Sequence, residues 1–166
     1  MKPYPPLGIL YLSAWLDRNG VENAVFDTTF SAPETLQKYL LEHRPHIVAL
    51  YTNLMTKLNI IAIIRFIRTQ KTLQHTLIVL GGPDVTHNAE DYLNTGADLI
   101  VIGEGEQTML EIVKFEVRSL KFEESNAPGG RYAKGVSSSE LHLETPGSNF
   151  KLQTSNSKFQ SIPGLA

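Results

Sequence analysis

The sequence predicts an α/β fold in which helices cover both faces of a doubly wound parallel sheet. Three short apolar runs, Ile47–Tyr51, 77–80 and Leu99–Ile102, are continuous rather than alternating, which is typical of strands buried on both faces. The run at 77–80 is the most sharply bounded, because a Gly-Gly-Pro sequence follows it directly. Stretches with the apolar spacing of helices separate the runs, and strands that alternate with helices pair in parallel through right-handed crossovers.

The N-terminal part of the chain adds two helices and a fourth strand. Residues 7–19 have the spacing of an amphipathic helix and end in an Asn-Gly pair, which is typical of a helix C-terminus. Residues 24–26 are predicted to form a short strand that Asp27 closes. Residues 31–34, Ser-Ala-Pro-Glu, combine a capping box with an early proline and predict a helix that runs to about His43.

Three further helices are predicted between and after the apolar runs. The Thr-Asn pair at 52–53 can start a helix that ends near Lys71. A short helix is predicted at 88–94, and the last one runs over about 107–114. The four predicted strands therefore alternate with helices, and we expect residues 1–115 to form one domain.

The composition changes after residue 115. Residues 116–161 are rich in serine and glycine, repeat short motifs and carry few large apolar side chains. Such a segment buries too little apolar surface to offset its ordering entropy, so we predict an insertion that is mostly loop or disordered. Residues 141–144 and 150–153 alternate weakly and could form a marginal hairpin.

Composition excludes several classes of function. The 166 residues carry a formal net charge of −2, which leaves no basic field for nucleic acid. No apolar run approaches the roughly 18 to 20 residues that span a bilayer, and the N-terminus lacks a signal-peptide pattern, so a cytoplasmic location is expected. Cysteine is absent, which excludes disulfides and iron–sulfur clusters held by this chain.

Several short segments form a recognisable pattern through their order and spacing. They are 5–12 (PPLGILYL), 26–27 (FD), 52–54 (TNL), 80–83 (LGGP), 96–98 (GAD), 103–106 (GEGE) and 162–166 (IPGLA). This pattern resembles the cobalamin-binding domain at the front of many radical SAM enzymes, with the anaerobic Mg-protoporphyrin IX monomethyl ester cyclase group as the most similar type. The last segment looks like the one that leads from this domain into the radical SAM barrel.

The resemblance implies a flavodoxin-like or Rossmann-like fold that binds cobalamin and is part of a radical SAM enzyme. The expected cofactor-binding residues follow three strands of the sheet: Thr52, Asn53, Leu54, Gly81, Gly82, Pro83, Gly103, Glu104 and Gly105. Glycine at the second group would let a flat macrocycle approach the backbone. No catalytic residue and no metal ligand of this chain is expected, so cobalt would arrive with the corrinoid.

The chain departs from the family pattern in three ways. Such domains usually begin with an apolar strand before the Pro-Pro-Leu-Gly stretch, and in the resembling fold that strand lies between the strands at 24–26 and Ile47–Tyr51. No Cys-x-x-x-Cys-x-x-Cys is present, so the 4Fe–4S cluster and SAM would belong to an absent catalytic domain. No Asp-x-His-x-x-Gly loop is present either, so a corrinoid should bind base-off without a histidine ligand.

Simpler interpretations of the same residues remain open. The Gly81-Gly82 pair can serve a tight turn alone, and Thr52 and Asn53 can cap a helix. His87 lies closest to the expected crevice and could cap a helix, line the pocket or approach cobalt. Asp27 and Asp84 are interpreted as turn and cap residues, because no nucleophile–base set accompanies them.

Two other functions are considered beside corrinoid binding. One is a flavodoxin-like interaction domain that has lost its cofactor and docks a partner. The other is a small independent enzyme, which the lack of an acid–base constellation disfavours.

Overall fold

The computed structural model describes residues 6–29, 31–125 and 151–154. Within these residues the helices are α1 (Leu7–Arg18), α2 (Pro33–His43), α3 (Lys57–Thr69), α4 (Val85–Thr95) and α5 (Glu106–Ser125), and the strands are β1 (Ile47–Tyr51), β2 (Leu77–Gly81), β3 (Leu99–Ile102) and β4 (Lys151–Thr154). A single 3₁₀ turn, Lys71–Leu73, precedes β2.

The strands form one sheet in the order β1-β2-β3-β4. β2 pairs with β1 and with β3 in parallel, whereas β4 pairs with β3 in antiparallel orientation. Leu77 to Leu80 of β2 are all buried. The predicted parallel α/β sheet is confirmed, and the run at 77–80 is its central parallel strand.

Helices cover both faces of the sheet, which confirms the doubly wound arrangement. On one face α2, α3 and α4 contribute to a cluster around Ile64, Ile78 and Tyr92. On the other face α1 and α5 contribute to a cluster around Leu16, Val79 and Leu110. β2 and β3 therefore send alternate side chains into two apolar cores, which is why their sequences are continuous apolar runs. On β1, Ala49 and Tyr51 are exposed.

The predicted strand at 24–26 is wrong. Residues 21–27 have no regular secondary structure and pair with no strand among the described residues. Phe26 instead packs against the α2–α3–α4 core, with its ring 5.5 Å from that of Tyr39. Because a strand needs a neighbour for its backbone groups, apolar residues alone do not make this segment a strand.

A different segment supplies the fourth strand. β4 pairs with β3 from Leu99↔Thr154 to Ile102↔Lys151, whereas the prediction paired 150–153 with 141–144, which lies outside the described residues. α5 also continues to Ser125, beyond the predicted end near residue 114. Residues 116–125 and 151–154 of the segment predicted as a mostly irregular insertion thus have regular structure.

Helix starts differ from the predicted ones. α2 begins after Ala32 rather than at a Ser31 capping box, and no side chain caps it. α3 begins at Lys57, four residues after Asn53, because a turn intervenes. α4 begins at Val85 and has a non-helical residue at Asn88, where the sequence pattern suggested the start.

Arg68 of α3 links several segments at the amino ends of the parallel strands. Its guanidinium donates to the carbonyl oxygens of Gly96 (2.8 Å) and Thr76 (2.9 Å) and pairs with the carboxylate of Asp98. The same carboxylate accepts the backbone N–H of Ile78 at 2.7 Å. Part of the Gly-Ala-Asp segment in the resemblance is therefore structural, since it ties α3 to β2 and β3.

Candidate functional site

The carboxyl ends of the three parallel strands meet at one edge of the sheet. Tyr51 lies opposite Gly81 in the β1–β2 register, and the backbone N–H of Thr52 donates to the carbonyl oxygen of Gly81 at 2.8 Å. The loop that begins at Gly103 follows β3, the neighbour of β2 on its other side. The structure thus brings the three groups of predicted cofactor-binding residues to the same edge, where open α/β sheets bind ligands.

The two glycines after β2 have different surroundings. Gly82 has a φ of +113°, and a side-chain Cβ there would overlap the carbonyl oxygen of Thr52 and lie 3.0 Å from its nitrogen. A Cβ on Gly81 would meet only the carbonyl oxygen of Val101, at an ordinary 3.8 Å. Gly82 is therefore required by the approach of two backbones, whereas Gly81 leaves open space beside the edge.

A buried chain of hydrogen bonds holds this edge together. The hydroxyl of Tyr92 donates to Asp84 Oδ2 at 2.6 Å and lies 2.8 Å from Thr52 Oγ1. Tyr92 has a single phenolic proton, which it donates to Asp84. In the bond between the hydroxyls of Thr52 and Tyr92, Thr52 is therefore the donor. Asn88 Nδ2 donates to the other carboxylate oxygen of Asp84, Oδ1, at 3.2 Å. α4 is thereby linked to the loop after β1 and to its own N-terminus.

The protonation state of Tyr92 follows from this environment. Burial raises the pKa of Tyr92 to about 12, and the hydrogen bond to Asp84 acts in the same direction. Lys57 Nζ lies 5.7 Å from the centre of the Tyr92 ring and forms an ion pair with Asp91 at 3.1 Å. Tyr92 is therefore a neutral donor at physiological pH, which the directed chain of bonds requires.

The polar side chains after β1 form hydrogen bonds within the protein. Thr52 is fully buried. The side-chain oxygen of Asn53 accepts the backbone N–H groups of Met55 (2.9 Å) and Thr56 (3.0 Å). Thr56 Oγ1 in turn accepts the backbone N–H of Asn53 at 3.0 Å. Asn53 therefore stabilises a turn before α3 and does not cap the helix, whose N-cap residue is Thr56 and which has no side-chain cap hydrogen bond.

Large apolar side chains surround this polar arrangement. Leu54 is 80% exposed, Met55 88% and Leu58 78%, and Tyr51 is exposed at the end of β1. Leu54, Met55 and Leu58 are nearly consecutive in the loop after β1 and the first turn of α3. Exposed apolar side chains in such a group are typical of a ligand-binding or docking surface.

The loop after β3 completes the edge. Gly103 has a φ of +97°, Glu104 is exposed, and the carbonyl oxygen of Gly105 accepts the N–H of Met109 at 2.8 Å as α5 begins. Pro83, which leads from the β2 loop into α4, is exposed as well. These residues present backbone and a carboxylate at the edge rather than a basic group.

The remaining candidates have structural surroundings. Asp27 is exposed, and its Oδ1 accepts the N–H of Thr29 at 2.8 Å; hydrogen bonds from the Thr29 side chain and then its backbone lower the pKa of Asp27. Its interpretation as a turn residue is confirmed. His87 is exposed in the first turn of α4. No group of three or more His, Cys, Asp or Glu side chains suited to a metal occurs among the described residues, and His142 lies outside them.

Sequence reasoning missed Tyr92. The predicted helix begins at residue 88, so the eight-residue spacing from Asp84 to Tyr92 extends across its predicted start. A start at Val85 would have placed Tyr92 two turns along the inner face, and a buried tyrosine hydroxyl normally has a hydrogen-bond partner.

Comparison with known proteins identifies the family. The family model of the B12 binding domain matches residues 2–113. The chain belongs to this family. The matched range includes α1 to α4, the three parallel strands and all of the edge residues described above.

Two solved structures are similar to this B12-binding domain. The N-terminal domain of a hypothetical protein from Thermotoga maritima is 23% identical, covers 70% of this chain and 87% of its own, and has a TM-score of 0.43. A response regulator from Hahella chejuensis is 16% identical, covers 79% of this chain and 95% of its own, and has a TM-score of 0.48. No curated protein sequence matches the chain. No helix among the described residues is long and apolar enough to cross a membrane.

Proposed function

We propose that this chain binds a corrinoid at the carboxyl edge of its parallel strands and carries out no chemistry by itself. Membership of the B12-binding family is the observation that supports this most strongly, because the matched residues include the whole candidate edge. When bound, the corrinoid would supply the cobalt-centred chemistry.

The residues at the edge fit a large, flat and partly apolar ligand. Gly81 presents bare backbone with space beside it, and Leu54 and Met55 offer exposed hydrocarbon. Gly103, Glu104 and Gly105 add exposed backbone and an acceptor for an amide N–H, which suits the amide-bearing rim of a corrin better than a phosphate. Thr52 and Gly82 would act indirectly, because their contacts are with each other and with Tyr92.

Corrinoid binding is proposed to be base-off and without a histidine ligand from the protein. The Asp-x-His-x-x-Gly loop that provides such a ligand does not occur in the sequence. His87 is the nearest alternative. A spectrum of the loaded protein that shows a cobalt–imidazole ligand, and loses it in His87→Ala, would refute this part of the proposal.

The remaining assignments rest on the sequence resemblance. We infer that the parent protein is a cytoplasmic radical SAM enzyme whose catalytic domain holds the 4Fe–4S cluster and SAM. Residues 1–115 would be its corrinoid module, 116–161 an insertion and 162–166 the start of the linker. The truncation at both ends and the cyclase-like group are part of the same inference.

A second function, an interaction domain without a cofactor, has one observation in its favour. The Thr52 hydroxyl is buried and the Asn53 side-chain oxygen is bonded within its own turn, so fewer polar groups face a ligand than the sequence pattern suggested. In that case the exposed side chains of Leu54, Met55 and Leu58 would contact a protein partner instead.

Titration with hydroxocobalamin, followed by visible absorbance and calorimetry, separates the two functions. Corrinoid binding by the wild-type chain is expected, with an affinity at least tenfold weaker in Gly81→Val. Gly8→Ala is the matched control, because a Cβ there has no neighbour within 4 Å and Gly8 lies in α1. Absence of binding by the folded wild-type chain would refute the proposal, and equal binding by Gly81→Val would remove the site from this edge.

A further inference from the structure

One buried hydroxyl near the candidate edge has no hydrogen-bond partner. Thr108 lies in the first turn of α5 and is only 4% exposed, and its Oγ1 makes no hydrogen bond in the structure. The other such atom among the described residues is the indole nitrogen of Trp15, a residue that is only half-buried. Because an unpaired buried hydroxyl lowers the stability of the fold, its presence points to a partner outside the chain.

The position of Thr108 in the helix directs its side chain to the edge. The Cα–Cβ bonds of an α-helix tilt toward the helix N-terminus, so this side chain lies against the turn that contains Glu104 and Gly105. Outside its own neighbours in the chain, a Cβ at Gly105 would meet no atom closer than Val101 Cγ1, at 4.0 Å. The start of α5 is therefore sparsely covered where the hydroxyl approaches the carboxyl end of β3.

The N-terminus of α5 adds backbone donors beside this hydroxyl. The first hydrogen bond of the helix joins the N–H of Met109 to the carbonyl oxygen of Gly105. The N–H groups of residues 106–108 precede this bond and have no carbonyl partner within the helix. A threonine hydroxyl is also able to donate. Together these groups suit a ligand oxygen that accepts hydrogen bonds.

The charges around this turn select a neutral group. Glu104 is exposed, Glu106 is the first residue of α5, and residues 99–113 contain no lysine, arginine or histidine. A ligand carboxylate or phosphate would be repelled by these two glutamates. A carboxamide avoids the repulsion, because its oxygen accepts from Thr108 and its NH₂ group donates to a carboxylate such as that of Glu104.

We infer that Thr108 and the first turn of α5 hold one side-chain carboxamide of the bound corrinoid, and that the flanking glutamates exclude the corresponding carboxylate. The inference rests on the corrinoid binding proposed above. It adds a residue that the sequence pattern did not single out, although Thr108 lies within the range that the family model matches. A hydroxyl that bonds only to the ligand contributes to binding and not to the stability of the ligand-free protein.

Thr108→Val tests this distinction in the full chain, because it keeps the shape of the side chain and removes the hydroxyl. The melting temperature of the ligand-free variant should be equal to that of the wild type or higher, since no hydrogen bond within the fold is lost. Titration by visible absorbance and calorimetry should show hydroxocobalamin binding about tenfold more weakly than to the wild type. Thr108→Ser restores the hydroxyl and should recover most of the affinity.

Thr76→Val is the matched control. Thr76 is similarly buried, at 6% exposed, but its Oγ1 donates to the carbonyl oxygen of Pro45 at 2.9 Å. It directly precedes β2, at the amino end of the strand and away from the candidate edge. This variant should therefore lower the melting temperature by about 3 °C and leave the Kd for hydroxocobalamin unchanged.

The chemical class of the ligand group is tested with the monocarboxylic acids of hydroxocobalamin, in each of which one side-chain amide is hydrolysed. The acid that lacks the amide held by Thr108 should bind to the wild type about tenfold more weakly than hydroxocobalamin, because Glu104 and Glu106 repel the new charge. Since the contact is already lost, Thr108→Val should weaken the binding of this acid by less than about twofold.

The outcomes distinguish this inference from the proposed function. Absence of hydroxocobalamin binding by the folded wild type would refute both. Equal affinity of the wild type and Thr108→Val, or a Thr108→Ser variant that binds as weakly as Thr108→Val, would overturn the role of Thr108 alone. A lower melting temperature of Thr108→Val would show that the hydroxyl has a partner within the fold. Equal binding of all the monocarboxylic acids would overturn the assignment of a carboxamide.

Discussion

Removing the hydroxyl of Tyr92 tests whether the buried hydrogen-bond chain stabilises the candidate edge. Tyr92→Phe keeps the fully buried ring and deletes only the oxygen that bonds Asp84 and Thr52. Phenylalanine fills nearly the same volume, so the change creates little cavity. The variant therefore isolates the contribution of the hydrogen bonds of the Tyr92 hydroxyl to the free energy of unfolding.

The expected magnitude follows from the groups left behind. Asp84 loses a charge-assisted hydrogen bond of 2.6 Å, a type that contributes about 1.5 to 3 kcal/mol. The Thr52 hydroxyl loses its acceptor in a fully buried position, which costs about 1 kcal/mol or more. Part of this is recovered when the neighbours shift, so we expect the free energy of unfolding to fall by about 2 to 4 kcal/mol.

Urea denaturation followed by circular dichroism measures this change, with Tyr39→Phe as the matched control. Tyr39 is only half-buried and contacts Phe26 and His43 through its ring, so the control should change stability by less than about 0.5 kcal/mol. A Tyr92→Phe variant as stable as the wild type would show that the hydroxyl chain contributes nothing net.

The pH dependence gives an independent check on Tyr92. Because its folded-state pKa is about 12 against the ordinary value of 10.0, the folded state retains a proton that the unfolded state loses. This contribution is fully present below pH 10 and is lost as the pH rises toward 12, at about 1.4 kcal/mol per pH unit. Stability of the wild type should therefore fall between pH 10 and 12 more steeply than that of Tyr92→Phe; parallel curves would contradict the assigned environment.

Three further predictions concern the backbone and the sheet. Gly82→Ala should lower the free energy of unfolding by more than about 2 kcal/mol, because its Cβ overlaps Thr52. Gly81→Ala should change it by less than about 1 kcal/mol. Equal effects of the two variants in urea denaturation would contradict the close approach of the two backbones at Gly82. Arg68→Met should lower the free energy of unfolding by about 2 to 4 kcal/mol, because it removes the cation that pairs with Asp98. The exposed Arg65→Met is the control. Similar melting temperatures for the two variants would show that Arg68 does not stabilise the sheet. Adding an apolar strand of about six residues before Pro3 should raise stability and any corrinoid affinity together, and an extended chain no more stable than this one would show that the sheet gains nothing from it.

The strands that the sequence predicted correctly are those in which composition and environment coincide. Residues 77–80 and Leu99–Ile102 are apolar throughout because helices cover both faces of these strands, and that pattern is visible without any tertiary knowledge. Ile47–Tyr51 has the same pattern although Ala49 and Tyr51 are exposed. Residues 24–26 have a similar composition but pair with no strand among the described residues, so they do not form a strand. Conversely, β4 is polar at alternate positions and pairs with β3 across a long sequence separation, which local patterns do not report.

The position of the candidate edge was also predictable, since glycines and polar residues after three parallel strands must meet on one side of the sheet. The roles of the individual residues were not. Gly82 is needed for its approach to Thr52, Asn53 for a turn before α3, and Asp84 for its bond to Tyr92. Each of these roles depends on contacts that the local sequence pattern does not report.

The sequence by itself determined the α/β class, the central strand, the resemblance to cobalamin-binding domains and the edge at which a ligand would lie. The tertiary structure decided which of the described segments pair and which side chains form hydrogen bonds within the fold. The physical reason is that apolar periodicity reports how much of a segment is buried, whereas strand pairing and hydrogen bonds depend on which partner lies next to it.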